Sequence, residues 1–161
     1  MDYRVLRESA FRALFQLEFN RGETEEYENN EQLAVETATA EIEDVKPSDL
    51  QKILKKVRGT HDNVKKIDEL ISANLKAGWN FSRLALTDRN ILRLAVYEMN
   101  FAGEEKLPPG IAINEAVELA KKYGSSDDSG KFVNGVLAAI SGTRKPKKVS
   151  ASEKVSKTSA E

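Results

Sequence analysis

The stretch "AINEAVELAKKYGSSDDSGKFVNGVLAAI" (residues 112–140) predicts two short helices joined by a loop of glycine, serine and aspartate. Apolar residues recur at helical spacing on both sides of the loop, and no run of strict alternation indicates a strand. We expect Gly124 to end the first helix as its C′ residue and Ser129 to cap the second. The stretch is therefore interpreted as a packed helical hairpin.

The Gly-Lys pair in this loop raises the question of a phosphate-binding site. A Walker A motif has four residues between its glycines and a Ser or Thr directly after its lysine. Here five residues separate Gly124 from Gly130, and Phe132 follows Lys131. No strand is predicted before the loop either. The pattern therefore argues against nucleotide binding, and we expect no cofactor.

Helical periodicity also dominates the rest of the chain, so the predicted fold class is all-α. The first helix is expected at about residues 4–20 and a weaker one at about residues 31–43. A single long helix is predicted at residues 47–78, because its apolar residues keep one phase across Gly59.

The following helix, "DRNILRLAVYEM" (residues 88–99), carries a wide apolar arc that predicts burial. Thr87 is its predicted N-cap, and Asp88 lies where a negative charge favours the helix dipole. We expect this helix start to be exposed.

The composition is typical of one soluble globular domain, since the 161 residues are 40% hydrophobic and 32% charged. The chain contains no cysteine, which excludes disulfides, thiolate metal sites and cysteine nucleophiles. No apolar run approaches the roughly 20 residues of a membrane span, and the start of the chain lacks a secretory signal. These features favour a cytoplasmic protein without a membrane partner.

Charge is distributed unevenly along the chain, although the net charge is only −1. Residues 23–45 contain nine acidic residues and no Lys or Arg, whereas residues 141–161 contain six basic and two acidic residues. This last segment has no aromatic residues and too few apolar ones to form a core. We therefore expect a folded helical domain at residues 1–142 and a basic, disordered tail at residues 143–161.

Candidate residues for catalysis or metal binding are few. His61 is the only histidine, and without a second histidine or a cysteine it is expected to be a packing residue at the edge of its helix stripe. Asp127 and Asp128 lack the ligand spacing of a calcium loop and are expected in a solvated turn. The sequence therefore predicts no metal site, no catalytic residue and no enzymatic activity.

The first helix has apolar residues on two sides. One stripe is formed by Leu6, Ala10, Ala13, Leu14 and Leu17. The opposite side has phenylalanines at i, i+4 and i+8 beside two arginines, namely Phe11, Phe15, Phe19, Arg4 and Arg7. Arginines beside aromatic rings are typical of surfaces that hold unpaired RNA. The alternative is that Arg4–Glu8 and Glu8–Arg12 are ordinary i,i+4 ion pairs on an exposed face.

Several long segments resemble, in order and in register, the NusB family of bacterial transcription antitermination factors. They are "RESAFRALFQLEF" (7–19), "DRNILRLAVYE" (88–98), "AINEAVELAKKYG" (112–124) and "DSGKFVNGVL" (128–137), and the match covers roughly residues 4–141. The resemblance implies an all-helical bundle of two packed helical subdomains with no catalytic activity. It also implies binding of boxA RNA jointly with NusE, a ribosomal small-subunit protein. This complex would join the RNA polymerase elongation complex with other Nus factors and suppress termination, notably in ribosomal RNA operons.

The same resemblance implies positions for two binding surfaces. The family's RNA surface is matched by Arg4, Arg7, Asp128, Lys131 and Phe132. Its NusE surface is matched by Phe15 on the first helix and Asp88 on the central one. Phe132 has a second interpretation, since it shares a helix face with Val136 and Ile140 and could be a core residue.

Two alternatives to this function stay open. The same helical module occurs as the RNA-binding domain of certain ribosomal RNA cytosine methyltransferases, whose chains continue into a catalytic domain. The other alternative is a protein-interaction scaffold whose arginines are only structural. The apolar face of the first helix could also serve a second copy of the chain, so a homodimer is a further partner hypothesis.

Overall fold

The computed structural model describes residues 1–21 and 28–142, and every regular element in them is helical, which confirms the predicted all-α class. The longer helices are α1 (Tyr3–Arg21), α2 (Glu28–Thr39), α3 (Pro47–Asp62), α4 (Val64–Ala73), α5 (Leu86–Val96), α6 (Pro109–Tyr123) and α7 (Ser129–Ser141). Shorter pieces are two 3-10 turns, Phe81–Arg83 and Gly103–Glu105, and a π-helical segment, Tyr97–Phe101, that continues α5. The predicted tail, residues 143–161, lies outside the described residues.

The helices form two packed subdomains, as expected. One consists of α1, α2 and α3, and the other consists of α5, α6 and α7 with α4 packed against them. Contact between α1 and α5 joins the two groups, so the hydrophobic core is continuous. Residues 90–96 of α5 are all buried, which makes this helix the central element of the bundle.

The two apolar sides of α1 meet different surroundings. The predicted stripe is buried and consists of Leu6, Ala10, Ala13, Leu14 and Leu17. The phenylalanine row passes from the core to solvent: Phe11 is 2% exposed, Phe15 is half-buried and Phe19 is 68% exposed. The Phe11 ring packs on Tyr123 of α6 with ring centroids 5.0 Å apart. One end of the row therefore closes the bundle, while the other is open to solvent.

The prediction of one continuous helix at residues 47–78 is wrong. The helix breaks at Asn63, where φ is −112° and ψ is 12°. The Asn63 side chain donates to the Gly59 carbonyl oxygen (Nδ2···O 2.8 Å) and so competes with the backbone for a helical acceptor. Asn74 makes the equivalent bond to the Leu70 carbonyl at 2.8 Å, where α4 ends. Periodicity did not reveal the first break, because the apolar phase is kept across it.

Helix caps also differ in detail from the predictions. Thr87 lies inside the first turn of α5 instead of capping it. α7 begins at Ser129 itself, with Asp128 as its N-cap residue. Gly124 follows α6 as predicted, but its backbone is extended (φ −61°, ψ 159°). Glycine is needed there for space, because a Cβ would lie 2.4 Å from the Ala120 carbonyl oxygen.

Candidate nucleic-acid interface

Arg4 lies at the exposed start of α1 and reaches across to α6. Its side chain is 58% exposed, and its guanidinium forms a bidentate pair with Glu115 (Nε···Oε1 3.0 Å, Nη2···Oε2 2.9 Å). The Glu115 side chain is only 15% exposed, but the guanidinium of Arg4 is open to water, which screens the pair and limits what it adds to stability. The guanidinium can therefore also meet a phosphate group.

Arg7, one turn further along α1, is buried. Its side chain is 1% exposed, and its guanidinium donates to the Glu98 carboxylate at 2.9 Å (Nε···Oε2) and 2.5 Å (Nη2···Oε1). Arg7 was predicted to bind RNA together with Arg4, but in the structure it faces the interior, where it pairs with Glu98. An RNA contact through Arg7 would require its guanidinium to leave this carboxylate.

Glu98 accepts from two further donors in the interior. Lys56 Nζ donates to it at 2.8 Å and the Tyr3 hydroxyl at 3.2 Å. Burial alone would raise the pKa of Glu98, but the hydrogen bonds and charges of Arg7 and Lys56 outweigh it and hold that pKa below its usual value. The carboxylate is therefore ionised at neutral pH and ties the start of α1 to α3 and to the π-helical segment.

The seam between α1 and α6 contains a second ionic contact. Glu8 accepts a hydrogen bond from Lys122 Nζ at 2.7 Å and another from the Tyr123 hydroxyl. The hypothesis of an Arg4–Glu8 ion pair is therefore wrong, because both residues pair with α6. Arg12 does interact electrostatically with Glu8 and, against the effect of burial, helps to lower its pKa. These cross-helix contacts fix the orientation of α1 on α6.

Asp88, in the first turn of α5, supports the loop between α6 and α7. It is only 7% exposed, so the expectation of an exposed helix start is wrong. Its carboxylate accepts from the Ser125 hydroxyl at 2.6 Å and from the Ser125 N–H at 3.3 Å. Within the loop, Ser129 Oγ accepts from the Ser126 N–H at 3.2 Å. Because Asp88 holds the loop, it couples the predicted partner surface to the predicted RNA surface.

The start of α7 presents the three loop residues that were predicted to bind RNA. Asp128 and Lys131 are exposed, whereas Phe132 is half-buried. Phe132 packs against the core and also stacks on Trp79, with ring centroids 5.4 Å apart and ring planes 29° apart. The structure therefore places Phe132 at the edge of the core, as its second interpretation expects, and contact with RNA stays a prediction.

Trp79 is a candidate residue that the sequence pattern did not single out. It lies in the segment between α4 and the Phe81–Arg83 turn and is 57% exposed. The available signal was the chain's only tryptophan, standing directly after Gly78 in a polar segment. It borders a cavity of about 240 Å³, called the Trp79 cavity here, whose other lining residues include Asn74, Lys76, Asp128, Lys131 and Phe132.

A longer groove, the α6–α7 groove, runs between the two helices of the hairpin. It encloses about 1120 Å³, and its small and polar lining residues include Asn114, Lys121, Ser125, Lys131 and Asn134. Lys131 lines both this groove and the Trp79 cavity. The two concave surfaces therefore meet at one exposed ammonium group.

The predicted partner residues adjoin each other on the bundle. Phe15 and Thr87 line a common cavity of about 310 Å³, and Asp88 directly follows Thr87. The Phe15 ring stacks on the exposed Phe19, with ring centroids 6.0 Å apart and planes 17° apart. An apolar patch of Phe15 and Phe19 therefore stands beside the first turn of α5.

His61 was predicted to be a packing residue, and it contacts α2. Its Nδ1 lies 2.6 Å from Glu31 Oε2. Burial lowers the pKa of His61, and the nearby Glu31 offsets this effect only in part. Among residues 1–21 and 28–142, no group of three or more His, Asp or Glu side chains could hold a metal ion. No helix in that part of the chain is long and apolar enough to cross a membrane.

The chain is similar to known proteins over most of its length. The NusB family model matches residues 4–142 of the chain. The transcription antitermination protein NusB of Fervidobacterium nodosum is 40% identical over 144 residues, which cover 89% of this chain and 93% of the relative.

Solved structures agree with the sequence relatives. The structure of T. maritima NusB matches with a TM-score of 0.74 and 37% identity, covering 91% of this chain and 95% of that one. A crystal structure of the antitermination factors NusB and NusE in complex with double-stranded RNA matches with a TM-score of 0.68 and 28% identity. That match covers 88% of this chain and 96% of the other.

Proposed function

The chain belongs to the NusB family, and we propose that it serves transcription antitermination by holding boxA RNA together with the ribosomal protein NusE. The observation that carries this proposal is the family match across residues 4–142, which includes all seven predicted site residues. The related complex of NusB and NusE with double-stranded RNA supports joint binding of a protein and an RNA. The chain acts with RNA polymerase and other Nus factors, notably on ribosomal RNA operons.

The proposed RNA surface has two parts. At the start of α1, Arg4 offers an exposed guanidinium that can also meet a phosphate group. At the start of α7, Lys131 supplies a second cation, while Asp128 and Phe132 supply a hydrogen-bond acceptor and a ring. Cations bind phosphates without regard to sequence, whereas rings and polar groups contact bases. Arg4 and Lys131 therefore contribute affinity, while Asp128 and Phe132 contribute base recognition.

Arg7 has a supporting role in this proposal. Its guanidinium is enclosed with Glu98 and Lys56, so it positions α1 instead of meeting phosphate directly. Loss of the pair would change the direction in which α1 presents Arg4. The RNA contact expected for Arg7 from the family resemblance thus becomes an indirect one.

NusE is the proposed partner of the apolar patch formed by Phe15 and Phe19. A ring as exposed as Phe19, at 68%, is typical of residues that a protein partner covers. Asp88 acts beneath this surface through its bonds to Ser125, and its charge is only slightly exposed. A second copy of the chain is the competing occupant, and sedimentation of the free chain and of its mixture with NusE separates the two.

We expect the function to be binding alone, without catalysis, in the cytoplasm where nascent RNA is made. A methyltransferase module and a protein scaffold are the alternatives. The burial of Arg7 agrees with a scaffold, but the exposure of Arg4 and Lys131 favours a polyanionic ligand.

The test is a titration of labelled boxA RNA with the full chain, with and without NusE. BoxA should bind more tightly than a scrambled RNA of equal length, and NusE should increase the difference. Affinity should fall steeply with salt, because phosphate contacts release counterions. A duplex of the same sequence belongs in the series, since the related complex contains double-stranded RNA. Equal affinity for boxA and scrambled RNA in the presence of NusE would contradict the proposal.

A further inference from the structure

Trp79 is an exposed residue that the proposed function leaves unexplained. Single apolar residues on a surface are ordinary, but this indole is held in place by stacking on Phe132 with ring centroids 5.4 Å apart. More than half of it, 57%, is open to water at the edge of the Trp79 cavity. An aromatic ring that is packed on one neighbour and otherwise open to water is a platform on which single-stranded nucleic acids can stack a base.

The size and lining of the Trp79 cavity suit one flat ring system. Its volume of about 240 Å³ is smaller than the roughly 300–1,000 Å³ of sites for drug-sized ligands. Trp79, Phe132 and Val136 give it apolar walls, which favour a ring that is poorly solvated on its faces. A nucleobase fits this description, whereas a peptide helix or strand needs a longer groove.

The charges around the cavity favour RNA over a protein side chain. Lys76, from the segment after α4, and Lys131, from α7, both line it together with one carboxylate, Asp128, so that positive charge is in excess. A base in the cavity carries a phosphate on each side, so two ammonium groups at the rim match the charges that accompany it. Because Lys131 also lines the α6–α7 groove, the strand can continue from the cavity into that groove.

We propose that one unpaired base of the bound RNA stacks on Trp79 inside this cavity, with Lys76 and Lys131 on its flanking phosphates. The proposal rests on the proposed function, because it defines a subsite for the same RNA. Beyond Lys131, the strand enters the α6–α7 groove, where the exposed amides of Asn114 and Asn134 meet further nucleotides.

The unmodified protein carries its own probe, since Trp79 is the only tryptophan in the chain. Addition of a single-stranded boxA oligoribonucleotide should quench its emission, with the same midpoint as the anisotropy of the labelled RNA. In a series of oligoribonucleotides that each lack one base, one abasic position should abolish the quenching while the others preserve it. Unchanged emission at saturating RNA overturns the stacking proposal and leaves RNA binding intact. Absence of RNA binding by anisotropy overturns both.

Substitutions give an independent measurement. Trp79→Ala should weaken RNA binding about five- to 150-fold with little change in its salt dependence, because stacking is not an ionic contact. Trp79→Phe keeps a ring and should retain most of the affinity, whereas Lys76→Ala should flatten the salt dependence. Leu33→Ala removes a comparably exposed apolar side chain, 60% exposed on α2, and is the matched control. The proposal is overturned if Trp79→Ala binds RNA like the unmodified chain, or if Leu33→Ala shows the same loss.

Discussion

The starts of α1 and α7 both bring cations to the surface end of a helix, but only one of them leaves a cation open. At α1, Arg7 is buried on Glu98 and Arg4 is paired with Glu115, so each guanidinium already has a carboxylate from elsewhere in the chain. At α7, Lys131 is exposed between two concave surfaces. The first region mainly holds helices together and offers a ligand only the exposed side of Arg4, whereas the second leaves its cation open beside two concave surfaces.

The difference follows from the cost of burying charge. A guanidinium removed from water needs a fixed carboxylate beside it, and that pair then becomes part of the fold. An exposed ammonium needs no partner and stays available to anions. Substitutions at Arg7 should therefore change stability first, and substitutions at Lys131 should change affinity first. The distinction between the two regions fails if substitution of Arg7 changes mainly affinity, or if substitution of Lys131 changes mainly stability.

Arg7→Ala is expected to have the largest effect of the changes considered. It leaves Glu98 buried with a net negative charge that Lys56 only partly compensates, and breaking one side of a buried pair costs about 3–5 kcal/mol. Urea unfolding at pH 7 measures this loss of unfolding free energy. Arg4→Ala, in the exposed pair one turn earlier, is the matched control and should leave that free energy nearly unchanged.

Affinity measurements on the same two variants complete this test. If Arg7→Ala kept its stability and lost RNA binding with a flatter salt dependence, Arg7 would be a phosphate contact like an exposed arginine. The starts of α1 and α7 would then be alike, and the buried pair would have no structural role.

The penalty of Arg7→Ala should shrink as the pH falls. In the unmodified protein the pKa of Glu98 lies below its usual value, so its stabilising contribution is complete above about pH 4.3 and is lost only as the pH falls through the folded pKa. Without Arg7, burial should raise the pKa of Glu98, and the proton it then takes up relieves the penalty. Between pH 7 and about pH 4.5 the difference in unfolding free energy between the two proteins should therefore narrow.

Denaturant curves for both proteins across this range provide the measurement. A pH-independent difference would mean that Glu98 stays ionised without Arg7, and the interior at this point would be more hydrated than its burial indicates.

Asp88→Ala is expected to have an intermediate effect, and it should change both the stability of the fold and the affinity for RNA. It removes the acceptor for the Ser125 hydroxyl and N–H, so the unfolding free energy should fall by about 1–2 kcal/mol. RNA affinity should fall as well, because the loop that leads to Lys131 loses its support. Ser125→Ala deletes only the hydroxyl bond and should give a smaller change of the same kind. Melting curves and RNA titrations on both variants would contradict this coupling if affinity stayed constant while stability fell.

Local pattern was sufficient to predict the helical hairpin and the buried stripe of α1, since both depend on spacing within one segment. The burial of Arg7 was not predictable in this way, because its partner Glu98 lies 91 positions further along the chain. Asp88 was mistaken for an exposed residue for the same reason, since Ser125 reaches it from another helix pair.

The candidate site, too, could be predicted from the sequence only in part. Lys131 and Phe132 follow from the family resemblance, and the sequence places them correctly at the start of the last helix. Trp79 had no periodic partner in its own segment, so only the packing of its ring on Phe132 identifies it. The break at Asn63 was missed because a side-chain hydrogen bond, and not a change of apolar phase, ends the helix.

Lys131→Ala tests the start of α7. Of the changes considered, it is expected to have the smallest effect on stability. Lys131 is exposed, so the unfolding free energy should stay within about 0.5 kcal/mol of that of the unmodified chain. RNA affinity should fall for boxA and scrambled sequences alike, and the slope of log affinity against log salt should decrease by about 0.7, the value for one phosphate contact on a single strand. Lys52→Ala, an exposed lysine on α3, is the matched control and should change neither quantity. If Lys131→Ala lowered stability without altering the salt dependence, the start of α7 would be a structural region like the start of α1, and the ligand surface would have to lie elsewhere on the bundle.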